Sequence, residues 1–422
     1  MVGYFLLSLL AIAIIISRRP DAFTNPQFWA EDGALWYAQA YNFGPLKPLF
    51  AANTGYFQTV SRLVAAITQF LPLQYGPLIF NLVALLIQFL PVGLIFSSRG
   101  KQLLPNRFAR IFFILAYLLL PNTAETYLNL TNAQWYLAFV AAIILLTEVP
   151  QTSNWRWFDR IILLLSGLSG PFSILFLPVA IIRWRQHHRR SFMPKLVIVA
   201  STATIQLAAL WLSGGGGRTN FPSGISLQNF AAIFSRQIVW GTIAGPFGFH
   251  WLSLKIPWPS FFSIITTLLG LTLLVNALLK APEIIKLLIL FAGLILGTGL
   301  LEPTVVSQAG KSTWLILEQA DGIRYWLIPM VVFLLVLIWN TTKKNPRPLR
   351  LLAFFLISSM IFFWLKHYCF PSLYQYPAYV DFHYQEEIKN FQQLKTGEKS
   401  VIPINPPGWQ MTLVKHDYLP FP

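Results

Sequence analysis

The chain has 422 residues, 55% of them hydrophobic and 11% charged, with 31 Lys and Arg against 15 Asp and Glu. Soluble domains carry roughly 25% charged residues, so this composition excludes a soluble globular protein and points to a polytopic membrane protein. Apolar runs such as LVALLIQFL, AAIILL and LLVLIWN do not alternate with polar residues, which excludes a membrane β-barrel and leaves helices as the spanning structure.

The formal net charge of +16 raises the question of a nucleic-acid partner. Segments 99–110, 155–160, 183–195, 280–286 and 343–350 hold 17 of the 31 Lys and Arg but only two of the acids. Short basic segments between apolar runs are what the positive-inside rule produces, so no nucleic acid is expected. The single cysteine, Cys369, excludes an internal disulfide.

In chain order, MVGYFLLSLLAIAIIIS has the length of a signal peptide. Arg18, Arg19 and Pro20 follow it without a small-x-small site, and it reads as a retained helix. Helices are expected near 3–17, 76–97, 108–120, 134–147, 195–213, 260–279, 286–301, 325–339 and 351–365. Between Arg160 and Arg183, SGLSGP interrupts an apolar stretch with two glycines and a proline. Two helices of about ten residues, rising and returning as a re-entrant hairpin near 160–182, satisfy that pattern. The fold class expected is thus an all-α polytopic membrane protein of about 11 membrane helices, with a layer of helical outer loops.

With the N-terminus cytoplasmic, all five basic segments fall inside, while Arg18 and Arg19 fall outside against the rule. The outer side then receives a long first loop (18–75), the segment 121–133, loops 214–259 and 302–324, and a small C-terminal cap (366–422) beyond a membrane domain of 1–365. GYFQTVSRLVAAITQFLP in the first loop is amphipathic and is expected to lie along the membrane interface.

The first loop also contains NPQFWAEDGALWY, in which Glu31 and Asp32 sit between Trp29 and Trp36. A carboxylate in an aromatic recess is a general-base candidate toward a hydroxyl, and tryptophan rings stack on sugar faces. Which of the two is the base stays open, with Asp32 weighted first and Glu31 orienting it; a divalent metal at the pair is a further option. Adjacent carboxylates also repel, which raises the pKa of one. Arg62, Arg218, Arg236, Lys311 and Arg324 are the outer cations that suit a phosphate, and Arg324 in ADGIRYWLIP leads them. Trp29, Trp36, Asn132, Gln134 and Tyr325 are the candidates for sugar contact, although Asn132 and Gln134 in NLTNAQW also suit a helix cap and an interfacial anchor. Glu125 is a minor second acid and His250 a structural residue. No His, Asp and Glu spacing forms a metal motif.

A short apolar helix, a long outer loop with an acidic pair, many short spans and a Gly/Pro hairpin together resemble the GT-C superfamily of membrane glycosyltransferases, which includes the protein mannosyltransferases and the lipid A aminoarabinose transferases. FWAEDG, NLTNAQW, GLSGPF, RYWLIP and IPINPPGW look like a bacterial branch of it. Ser169 stands where several members carry a hairpin lysine, so no lysine role transfers. The resemblance implies a polyprenyl-phosphate sugar as donor and an extracytoplasmic glycan, lipid or protein as acceptor. It also implies a site on the outer face of the plasma membrane, with the Glu31–Asp32 pair as catalytic acid and inversion at the anomeric carbon. The absence of a nucleotide-binding loop in the sequence agrees with a lipid-linked donor. A transporter or flippase of a lipid-linked sugar, and a surface polysaccharide polymerase or ligase, are the alternatives. The first should place charges at mid-membrane, where this sequence has few; the second shares the donor and the site.

Overall fold

The structure, a computed structural model, describes residues 2–187, 190–214, 222–245, 248, 259–305, 308, 310–319, 322–369 and 379–416. Its principal helices are α1 (Val2–Arg18), α2 (Thr59–Thr68), α3 (Gly76–Phe96), α4 (Arg107–Leu118), α5 (Ala133–Leu146), α6 (Ser153–Gly167), α7 (Phe172–His187), α8 (Met193–Leu212), α9 (Leu227–Ile233), α10 (Pro259–Lys280), α11 (Glu283–Leu301), α12 (Leu327–Asn340), α13 (Arg347–Cys369) and α14 (Tyr384–Gln392). Six of them, α3, α8, α10, α11, α13 and α12 with the turn before it, are long and apolar enough to cross a membrane. The chain is therefore a helical membrane protein.

Burial orders these helices. Every residue of α5 and of α12 is buried. A helix that is apolar all round persists only when enclosed, so these two form the centre. Others expose large apolar side chains on one face, such as Leu268 of α10 and Phe355 of α13. Local chemistry sets several starts. Asn106, for example, caps α4 by accepting from the Phe108 and Ala109 N–H groups at 2.8 and 3.2 Å.

The hairpin is present, but its helices have 15 and 16 residues rather than about ten. Arginines at 156, 160 and 183 do not end them, because a cation that is solvated, or paired as Arg183 is with Glu283, leaves the backbone ladder intact; the Gly-rich turn alone breaks it. The hairpin tip pairs with the first loop. The Thr59 N–H donates to Leu168 O at 3.1 Å, the Gly170 N–H to Phe57 O at 2.9 Å, and the Val60 N–H to Ser169 Oγ at 3.0 Å. Ser169 thus anchors the tip.

The tail contains an antiparallel hairpin that the sequence pattern does not announce. In it β1 (Lys399–Ile404) pairs with β2 (Trp409–Val414) in register from Lys399↔Val414 to Ile404↔Trp409. It shares a core with the first loop. A Cβ on Gly33 would lie 2.7 Å from Phe28 Cβ and 2.9 Å from Ile404 Cδ1, so only glycine lets these layers meet. Phe28 packs in turn on Tyr37, Phe80 of α3 and Tyr384 of α14.

The two ends of the bundle differ chemically. At one end Asp159 pairs with Arg99 at 2.6 Å and with Lys195 at 3.1 Å, all three buried, and Arg183 pairs with Glu283 at 3.2 Å. The two acids within the basic segments therefore tie four of those five segments together. At the other end Arg18 donates to Leu118 O and Leu120 O at 2.5 and 3.0 Å. Arg19 is buried beside Asp21, with its guanidinium 4.0 Å from the Tyr379 ring centre. Both arginines are taken up by protein partners.

Asp159→Asn leaves Arg99 and Lys195 buried without their counter-charge. We expect a loss of about 3–5 kcal/mol, read as a lowered melting temperature of the detergent-purified protein; an unchanged transition would contradict the clamp.

Candidate active site

The acidic pair sits at a forced turn. Ala30 has φ +47°, a left-handed conformation that L-residues avoid. It is held from the tail: the Ala30 N–H donates to Asn405 O at 2.5 Å, and the Asn405 N–H to Phe28 O at 3.1 Å. A π-helix, Asp32–Tyr37, comes directly after it; such turns recur at functional sites.

This turn sends the two carboxylates in different directions. Asp32 is buried and accepts the Leu130 N–H at 2.9 Å, and its other oxygen is enclosed. It therefore ties the first loop to segment 121–132. Glu31 instead lines a polar pocket of about 80 Å³. Thr131 Oγ accepts from Trp36 Nε1 at 3.1 Å and donates to Glu31 Oε2 at 3.5 Å, which orients the carboxylate. The weighting from sequence is thus reversed, with Glu31 reachable and Asp32 internal.

Electrostatics separate them further. Burial pushes the Asp32 carboxyl well up, against the pull of the Leu130 N–H, and the Glu31 charge adds to the rise. Burial also raises Glu31; its backbone hydrogen bond and Arg324 pull it back, while Glu125 pushes it up. Among the described residues no three His, Cys, Asp or Glu side chains converge.

Arg324 lines the same pocket as Glu31. Its backbone N–H donates to Glu125 Oε2 at 3.0 Å, its Nη1 pairs with Glu125 Oε1, and its Nη2 donates to Thr304 O. The guanidinium lies 4.9 Å from the Tyr325 ring centre. Beyond it opens a second, mainly apolar cavity of about 270 Å³, bounded by Ile174 and Leu175 of α7, Leu207 and Leu210 of α8, and Ile295 of α11. The two cavities share Tyr56, Gln134, Thr304 and Arg324.

Of the remaining candidates, Trp36, Asn132 and Gln134 line the polar pocket, and Gln134 and Tyr325 the larger one. Trp29 lies outside both and packs against Arg19 and Tyr379. Arg62 is buried, donates to Gln39 at 2.8 Å and stacks on Trp36, so it holds the loop rather than a ligand. Lys311 donates to Gln319 Oε1 at 2.5 Å and lines neither cavity. Arg218 and His250 lie outside the described residues. Sequence reasoning missed Thr131, which sits inside the NLTNAQW stretch, and underweighted Glu125 six residues before it.

Gly170, at φ +89°, abuts the site: a Cβ there would lie 2.5 Å from Gln134 Oε1. Gly170→Ala is expected to cost about 1–2 kcal/mol and to crowd Gln134. Thermal unfolding checks it, and a variant as stable as the parent would contradict the close approach.

The chain matches no family model, no curated protein and no solved structure.

Proposed function

We propose that the protein is a membrane glycosyltransferase of the GT-C kind that moves a sugar from a polyprenyl-phosphate donor to an acceptor hydroxyl. One observation carries this reading: a carboxylate, Glu31, and a guanidinium, Arg324, line one polar pocket, which shares a wall that includes Arg324 with an apolar slot between helices. A lipid-linked sugar has the same sequence of properties, a polar ring, an anionic link and an apolar chain.

In this reading the isoprenoid lies in the slot by α7, α8 and α11, and the phosphate meets Arg324. Glu31, oriented by Thr131, takes the proton of the acceptor hydroxyl. The acceptor oxygen forms a bond to the anomeric carbon from the face opposite the leaving group. The bond from that carbon to the phosphate oxygen breaks, its electron pair stays on the phosphate, and Arg324 offsets the charge. Trp36, Asn132, Gln134 and Tyr325 surround the sugar. The shorter helices α1, α4 and α5 cross the membrane beside the six long ones, and α6 and α7 enter it and return as the re-entrant hairpin, giving 11 membrane helices. The ion-paired basic end faces the cytoplasm and the site faces outward across the plasma membrane. Burial of the site among protein, rather than charges spread at mid-membrane, favours transfer over transport.

Glu31→Gln is expected to lower transfer by about 100-fold or more, measured as release of polyprenyl phosphate from labelled polyprenyl-phosphate sugars by protein in nanodiscs. Asp32→Asn, which can still accept from Leu130, should fold and keep most of its activity. Full activity of Glu31→Gln would refute the assignment of the base.

A base works only when ionised, and the Glu31 carboxyl lies above the usual glutamate value of 4.5. Transfer should therefore fall as pH drops, with the acid limb above pH 4.5 and absent in Glu31→Gln. A wild-type rate that is flat with pH through this limb would contradict it.

A further inference from the structure

Glu125 takes no part in the transfer step above, yet its placement is constrained on every side. Its Oε2 accepts the Arg324 backbone N–H at 3.0 Å, and its Oε1 pairs with the Arg324 guanidinium. Its own backbone carbonyl accepts the Asn129 and Asn132 side-chain amides at 2.7 and 2.9 Å. That segment is tied down at Leu130 by Asp32. A carboxylate held by a main-chain N–H as well as by the guanidinium does not swing away when a ligand arrives. A guanidinium has five N–H donors, and Glu125 and Thr304 engage only part of that set. An anion at Arg324 therefore meets a fixed positive charge with a fixed negative charge beside it.

Glu31 and Glu125 line the polar pocket with Arg324, and Glu302 lines the larger cavity with it. Among the described residues, the polar pocket thus has two carboxylates for one guanidinium. Beside these carboxylates each negative charge on a ligand is less favourable than beside Arg324 alone, and the penalty grows with the ligand's charge. Phosphodiesters carry one charge. Phosphate monoesters carry nearly two at neutral pH, because their second ionisation falls near about 6.

We propose that Glu125 is a specificity-determining residue that makes the site prefer a singly charged prenyl phosphodiester to a doubly charged prenyl phosphate, so that the lipid phosphate is repelled as soon as the sugar leaves it. This rests on the reading of Arg324 as the phosphate site. Breaking the glycosyl–phosphate bond leaves the electron pair on the phosphate oxygen, which raises the charge of the departing lipid by one. Glu31 loses its charge to the acceptor proton in the same step, so the repulsion that promotes release of the lipid comes from Glu125, fixed beside Arg324.

The test measures binding of two probes, farnesyl phosphate and its methyl diester, to the full chain in zwitterionic nanodiscs at pH 8 by native mass spectrometry. The probes share a chain and differ in charge, so no sugar is needed. Wild type should bind the diester at least about tenfold more tightly than the monoester, a gap of about 1.4 kcal/mol. E125Q should abolish the preference, chiefly by tightening the monoester, and E125D, which keeps the charge, should retain it. If E125Q does not fold, the wild-type ratio decides alone. Equal or tighter binding of the monoester by wild type overturns the proposal, as does E125Q weakening both probes equally. Failure of wild type to bind either probe, or unaltered binding by R324A, overturns the phosphate reading itself and the proposal with it.

Discussion

The site depends on one buried hydrogen bond, from the Leu130 N–H to the Asp32 carboxyl at 2.9 Å. The two partners come from segments 98 residues apart in the chain, and nothing local in either forces them together. A buried backbone N–H left unpaired costs about 1–3 kcal/mol, so segment 121–132 is stable in this position only with the first loop in place. The bond has a geometric consequence. Thr131, next in the chain, reaches Glu31, and the Glu125 and Asn132 of the same segment reach the pocket wall. The tail contributes from the other side, since Asn405 holds the left-handed turn at Ala30 that separates the directions of Glu31 and Asp32.

Charge is distributed with the same economy. On the side that carries the site, Arg18, Arg19 and Arg62 are taken up by carbonyls, rings and side chains of the protein. Arg324 is the cation that lines both cavities. On the opposite side, Asp159 and Glu283 join basic segments that would otherwise repel one another. The arginines nearest the site thus stiffen the frame that presents Arg324, and a cation free to move would not hold a fixed distance to Glu31.

Much of the frame was legible because its determinants are local. Long apolar runs specify helices, and SGLSGP specifies the break between α6 and α7, since two glycines and a proline oppose helix whatever surrounds them. The carboxylate pair was conspicuous against an apolar background. The division of roles within the pair was not legible. Neighbours on an ordinary helix point about 100° apart, and which of them meets a cavity depends on the turn that precedes them, here set by Asn405 some 370 residues later. Arg62 misled for a similar reason: α2 is amphipathic, but its arginine lies on the buried face, where Trp36 and Gln39 receive it. The tail hairpin was hidden because its strands are six residues each, and their stability comes from packing on the first loop.

The central claim is spatial: one ligand spans the Glu31 pocket, Arg324 and the apolar slot. A cryo-EM map of the nanodisc-embedded protein with a farnesyl-phosphate sugar tests it most directly. The expected result is phosphate density within hydrogen-bond reach of the Arg324 guanidinium, the sugar over Glu31 and the prenyl chain along α7 and α11. A prenyl chain seated elsewhere, with the polar pocket empty, would contradict it.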